Sequence, residues 1–222
     1  MIYLPVTLLL FLLFVLLLPF IWFIITLDVV ELAVTKLGFS ANAALLLFVL
    51  IILGSTVNIR LYERVSNVSM VPDFAELWSE RFRGIPLNKI EQKTIVALNV
   101  GGGLIPTLLA IYEFTRTNPG AILVVTAIVT FVSYFSAQVV PGIGIQMNAL
   151  VAPLTASLTA LLIVGNQAPP VAFAGGVLGT LIGADLLHLR EIERMSPGVL
   201  SIGGAGVFDG IAMCGLFALL LT

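Results

Sequence analysis

From Met1 to Leu27 the chain carries no charged side chain and consists mostly of Leu, Ile, Phe and Val. A hydrocarbon core of about 30 Å is crossed by about 20 apolar residues wound as a helix, because lipid offers no partner to an unpaired backbone amide. The stretch 2–26 passes that test. No basic residue precedes it, and it is too long for the apolar core of a signal peptide, so it is expected to remain in the mature protein. Six further segments come close to the same length, at 41–58, 94–114, 121–140, 148–164, 170–189 and 200–221. Overall, 59% of the 222 residues are hydrophobic and 10% are charged, against about 25% charged in soluble domains. The expectation is an all-α, polytopic transmembrane bundle of about seven spans, with glycine-broken helices, forming one membrane domain over residues 1–222.

Breaks such as Asn118-Pro119-Gly120, Pro141-Gly142 and Pro197-Gly198 are short and polar, so successive helices should run antiparallel. The long exception is 59–93. Val71, Phe74, Leu77 and Trp78 recur there at helical spacing, which reads either as an amphipathic helix on the membrane surface or as a solvated cytoplasmic loop. Arg60, Arg64, Arg81, Arg83, Lys89 and Lys93 fall in this stretch. With Arg190 and Arg194 they put eight basic residues on one side, against Lys36 and Arg116 on the other. The bias predicts a cytoplasmic N-terminus. Short loops and the lack of a targeting signal suggest a prokaryotic plasma membrane.

Several classes of chemistry are excluded. A net charge of -2 with dispersed basic residues does not fit nucleic-acid binding. One cysteine, Cys214, and one histidine, His188, supply neither a disulfide nor an ordinary metal site. No phosphate-binding loop, dinucleotide fingerprint or serine-nucleophile motif is present, and no cofactor is expected. The expected partners are membrane lipid and either a transmembrane peptide substrate or a small cation.

Ionisable groups at membrane depth carry the functional signal, since a central carboxylate costs about 2.5 kcal/mol or more on insertion scales. Asp185 and Asp209 are the two that qualify. Glu113, Asp28 and Glu31 stand near helix ends and read as interfacial. Asp185 lies five residues before Arg190, about 7 Å from the cytoplasmic end, whereas a regular helix from Pro197 would carry Asp209 about 18 Å deep. Gly203, Gly204 and Gly206 permit an unwound approach instead, which would bring the two aspartates to a common level. Such a pair would share one proton, with one carboxylate activating water and the other polarising a peptide carbonyl. His188, three residues after Asp185, reads either as a group that tunes it or as an interfacial histidine beside Arg190.

Gly183-Ala184-Asp185 resembles the end of the Gly-x-Gly-Asp motif of intramembrane aspartyl proteases, the class that includes presenilin, signal peptide peptidase and the prepilin peptidases. An alanine stands here in place of the glycine before the aspartate. The resemblance implies peptide-bond cleavage with Asp185 and Asp209 as catalytic residues. Over most of its length the chain resembles an uncharacterised family of prokaryotic multi-pass membrane proteins, through Gly54-Ser55-Thr56-Val57-Asn58-Ile59, Asn99-Val100-Gly101-Gly102-Gly103-Leu104-Ile105-Pro106 and the run ending Phe208-Asp209-Gly210. That likeness implies no particular activity.

Two other readings use the same residues. Broken helices at 99–106 and 141–153 are how secondary transporters build ion sites. Asp185 and Asp209 would then bind a proton or Na⁺, with Asn58, Asn99, Asn148 and Gln146 as neutral ligands. In a non-catalytic scaffold, Asp185 would pair with Arg190 or Arg194, Asp209 would cap the last helix, and the glycines would serve close helix packing.

Overall fold

The fold is taken from a computed structural model, which describes residues 6–66, 92–140, 144–191, 198–204 and 218–222. Helix α1 (Val6–Lys36) is uncharged as far as Leu27 and holds Pro19. Its large side chains from Phe11 to Ile25 are exposed, as suits a helix in lipid. Only its last turns pack inward, through Ala33 and Leu37. Gly38, with a φ of +79°, turns the chain into α2 (Ala41–Ser55), whose first turn is capped by Ser40. The Arg116 guanidinium lies where a Cβ on Gly38 would stand, and Arg116 Nη1 donates to the Leu37 carbonyl at 2.6 Å.

The next elements differ from the helical expectation. Strands β1 (Asn58–Ser66) and β2 (Gln92–Asn99) pair antiparallel with Asn58 opposite Asn99, and the register slips at Leu61. Strand β5 (Gly198–Ile202) joins the other edge of β2 in parallel, with Thr94 beside Gly198, giving the order β1-β2-β5. The helix expected over 94–114 therefore begins as a strand through Asn99, and the one expected over 200–221 begins as a strand through Ile202. The two ends of the 59–93 stretch are strands as well; its middle, with the Val71 to Trp78 pattern, lies outside the described residues. A short apolar run does not distinguish a buried strand from a helix by hydropathy, and β-branched Thr94, Ile95 and Val96 favour the pleated surface.

From β2 the chain winds through a π-helical turn (Val100–Leu104) into α3 (Ile105–Glu113), with Pro106 in the first turn where its missing N–H costs nothing. Helix α4 (Pro119–Ser136) starts at Asn118, whose Oδ1 accepts from the Gly120 and Ala121 amides. The strand pair β3 (Gln138–Val140) and β4 (Gly144–Gln146) follows, then α5 (Val151–Val164). Gly165, with a φ of +55°, folds α5 back onto α6 (Ala168–Thr180), which continues as a π-helical segment (Leu181–Leu186).

Among the described residues, three stretches are long and apolar enough to cross a membrane: Leu13–Lys36, Pro119–Ser136 and Val151–Glu191, the last folded at Gly165. The core is the packing of α4, α5 and α6, filled by Ile122, Val125, Val129, Val171 and Val177 with alanines between them. Gly175, Gly179 and Gly183 recur every fourth residue along α6 and its π-helical continuation. A Cβ on each would come within 2.4–2.6 Å of Val125, Val129 or the Thr130 carbonyl. This glycine stripe lets the two backbones approach closely, as small residues do between membrane helices, and it sets the π-helical segment against the end of α4.

Candidate functional site

Asp185 lies within that π-helical segment, where the Leu187 amide donates to the Ile182 carbonyl at 3.0 Å, five residues back. One extra residue in the turn displaces the ordinary four-residue pattern, a distortion found frequently at functional sites. The Asp185 side chain is half-buried, and its Oδ2 is enclosed by protein. Ser133 on α4 faces Gly183 from the other side; it is fully buried, and its Oγ has no hydrogen-bond partner among the described residues. His188 closes the end. It is buried at 8% exposure, its ring is stacked on Tyr134 of α4 with centroids 4.8 Å apart and planes at 28°, and its Nδ1 stands 3.1 Å from the Gly183 oxygen and 3.0 Å from the Ala184 oxygen. Carbonyl oxygens only accept, so Nδ1 carries the proton.

Asn58 and Asn99 meet where the sheet turns into α3. Asn99 is buried; its Nδ2 donates to the Ser55 carbonyl at 2.8 Å and to Asn58 Oδ1 at 3.2 Å, while its Oδ1 accepts from the Gly102 amide at 2.8 Å. Ser201 of β5 also donates to Asn58 Oδ1, at 2.5 Å. The cluster stitches β1, β2, β5 and the end of α2 together, and glycines let it close: a Cβ on Gly101 would overlap the Ile51 carbonyl, and one on Gly103 would crowd Leu98. Asn148 stands apart from both groups. It is exposed, and its Oδ1 accepts from the Leu150 amide at 3.0 Å, organising the start of α5. Asp209 lies outside the described residues.

Glu113 departs from its interfacial reading. At 1% exposure it is among the most buried side chains, and its Oε1 has no hydrogen-bond partner among the described residues. A carboxylate snorkels outward only where its helix end is uncovered, and here Leu37, Ala110, Ala121, Ala218 and Leu219 of the core gather at the ends of α1, α3, α4 and the last residues. Asp28 and Glu31 are exposed on α1.

A family model described as a protein of unknown function, DUF1614, matches residues 52–221. The chain belongs to this family. The DUF1614 region opens at the end of α2 and takes in the sheet, both π-helical segments and every candidate residue from Asn58 to Asp209, whereas α1 lies outside it. No curated protein and no solved structure matches the chain. Among the described candidate residues of this DUF1614 chain, Asn58 and Asn99 are hydrogen-bonded to each other, and His188 lies against the Gly183 and Ala184 carbonyls that precede Asp185.

Proposed function

We propose that this DUF1614 protein is an intramembrane hydrolase that cuts peptide bonds in membrane-embedded polypeptides, with Asp185 and Asp209 as its catalytic pair. The observation that carries the reading is the path of the chain before Asp209. Residues 198–202 form β5 beside β2, and Gly203, with a φ of +68°, turns the chain at Gly203–Gly204. Asp209 follows that turn by five residues in sequence, so the chain comes to it from a strand and a turn and not from an unbroken helix begun at Pro197. Asp185 contributes a carboxylate with one enclosed oxygen on a π-helical segment.

In the reaction, one carboxylate takes a proton from water as its oxygen adds to the carbonyl carbon, and the protonated partner donates to the carbonyl oxygen. Collapse of the tetrahedral species breaks the C–N bond, with a proton passing to the leaving nitrogen. The reading keeps about seven crossings and a cytoplasmic N-terminus in a prokaryotic plasma membrane. Cation transport has weaker support, because Asn58 and Asn99, its proposed ligands, are hydrogen-bonded to each other and to Ser55, Gly102 and Ser201.

The test is cleavage of labelled single-span peptides by the purified protein in liposomes. Wild-type protein should cut, and Asp185→Asn and Asp209→Asn should each lower the rate by about a thousandfold or more. Cation uptake that both variants abolish, with no peptide cut, would replace hydrolysis by transport.

A further inference from the structure

We infer that His188 is a positioning residue that holds the Asp185 segment in its π-helical form by occupying the carbonyl oxygens which that winding strands. In a regular helix the Leu187 amide would donate to Gly183 and the His188 amide to Ala184. Here Leu187 donates one residue further back, to Ile182. The oxygens displaced are those of Gly183 and Ala184, and these are the two that stand 3.1 and 3.0 Å from His188 Nδ1. One ring N–H shared between consecutive carbonyls is the three-centre bond common at helix ends.

Two features make the clamp rigid. The imidazole is stacked on Tyr134, and Gly183 is seated so closely on α4 that a Cβ there would lie 2.4 Å from the Thr130 oxygen. The ring is thereby fixed to α4 and the stranded carbonyls are fixed to the ring, with Asp185 the next residue along. His188 touches backbone and Tyr134 in this role, and its effect on chemistry passes through the direction in which Asp185 is held.

The inference rests on the proposed use of Asp185 in hydrolysis, and it is tested with and without that activity. His188→Phe keeps a ring for Tyr134 and removes the donor; His188→Asn keeps a donor close to the position of Nδ1 and removes the ring. Dicyclohexylcarbodiimide labelling of Asp185, located by peptide mass mapping on folded protein in liposomes, reads the carboxyl directly. Its rate should change about tenfold or more in His188→Phe and return to within about twofold of wild type in His188→Asn, with kcat for peptide cleavage following the same order and KM nearly constant. Equal labelling in wild type and His188→Phe, or failure of His188→Asn to restore it, overturns the clamp. A labelling pattern as expected in a protein that cleaves nothing upholds the clamp and removes the hydrolase.

Discussion

The backbone of Gly203 lies against that of Gly103, close enough that a Cβ on Gly203 would stand 2.6 Å from the Gly103 nitrogen. The contact joins two similar passages: β2 leads into the glycines of the first π-helical turn, and β5, pairing with it in parallel, leads into Gly203 and Gly204. A substitution at Gly203 meets both a backbone obstacle and a positive φ. Gly203→Ala should lower stability by about 1–3 kcal/mol, read as earlier thermal unfolding in detergent, and should depress peptide cleavage beyond that loss. Wild-type stability and cleavage in this variant would mean that the turn does not set the approach to Asp209.

The α4–α6 crossing makes a second prediction. A Cβ on Gly179 would come within 2.6 Å of Val129, in the middle of the stripe. Gly179→Leu should force the helices apart and cost about 3 kcal/mol or more, whereas Leu162→Ala, at 88% exposure on α5, should cost far less. Thermal unfolding of the two variants side by side checks the difference.

Asn99 is the hub of the sheet-to-helix joint. Asn99→Ala removes the hydrogen bonds that Asn99 makes to the Gly102 amide and to Asn58, and a loss of about 1–3 kcal/mol is expected. Asn99→Asp keeps the acceptor for Gly102 and sets a carboxylate oxygen near the Ser55 carbonyl, so it should be no better than alanine. Recovery of full stability in the aspartate variant would instead point to a charge-binding role for this position.

Glu113 permits a charge test. Its buried carboxyl has an oxygen without a partner among the described residues, so Glu113→Gln should stay within about 1 kcal/mol of wild type. Glu113→Lys, which buries a cation close to Arg116, should cost about 3–5 kcal/mol. Equal melting temperatures for the two variants would show that the site is open to water.

The membrane class was legible from the uncharged stretch before Asp28 alone, because nothing but a helix or a closed barrel satisfies backbone groups in lipid. The strands were not legible. Thr94 to Leu98 and Gly198 to Ile202 are short, mostly apolar runs, as a stretch of helix would also be, and only their pairing in space distinguishes the two. The glycines of 99–106 and 203–206 read as helix breakers, although the contact of Gly203 with Gly103 depends on a parallel register that no local pattern carries. Among the candidate residues, Asp185 stood out by depth. The bond between His188 and the Gly183 carbonyl did not, because a π-helical winding leaves no mark in spacing. Glu113 was misjudged because burial of a helix end is set by what packs over it.

The central claim is that Asp185 and Asp209 act together, and their proximity is tested most directly by cross-linking. Asp185→Cys and Asp209→Cys are combined with Cys214→Ser and treated in liposomes with bifunctional thiol reagents of graded length. The account predicts efficient linkage by a reagent spanning about 5 Å, the separation of a proton-sharing pair. Single labelling of both cysteines, with linkage only by much longer reagents or by none, would contradict it.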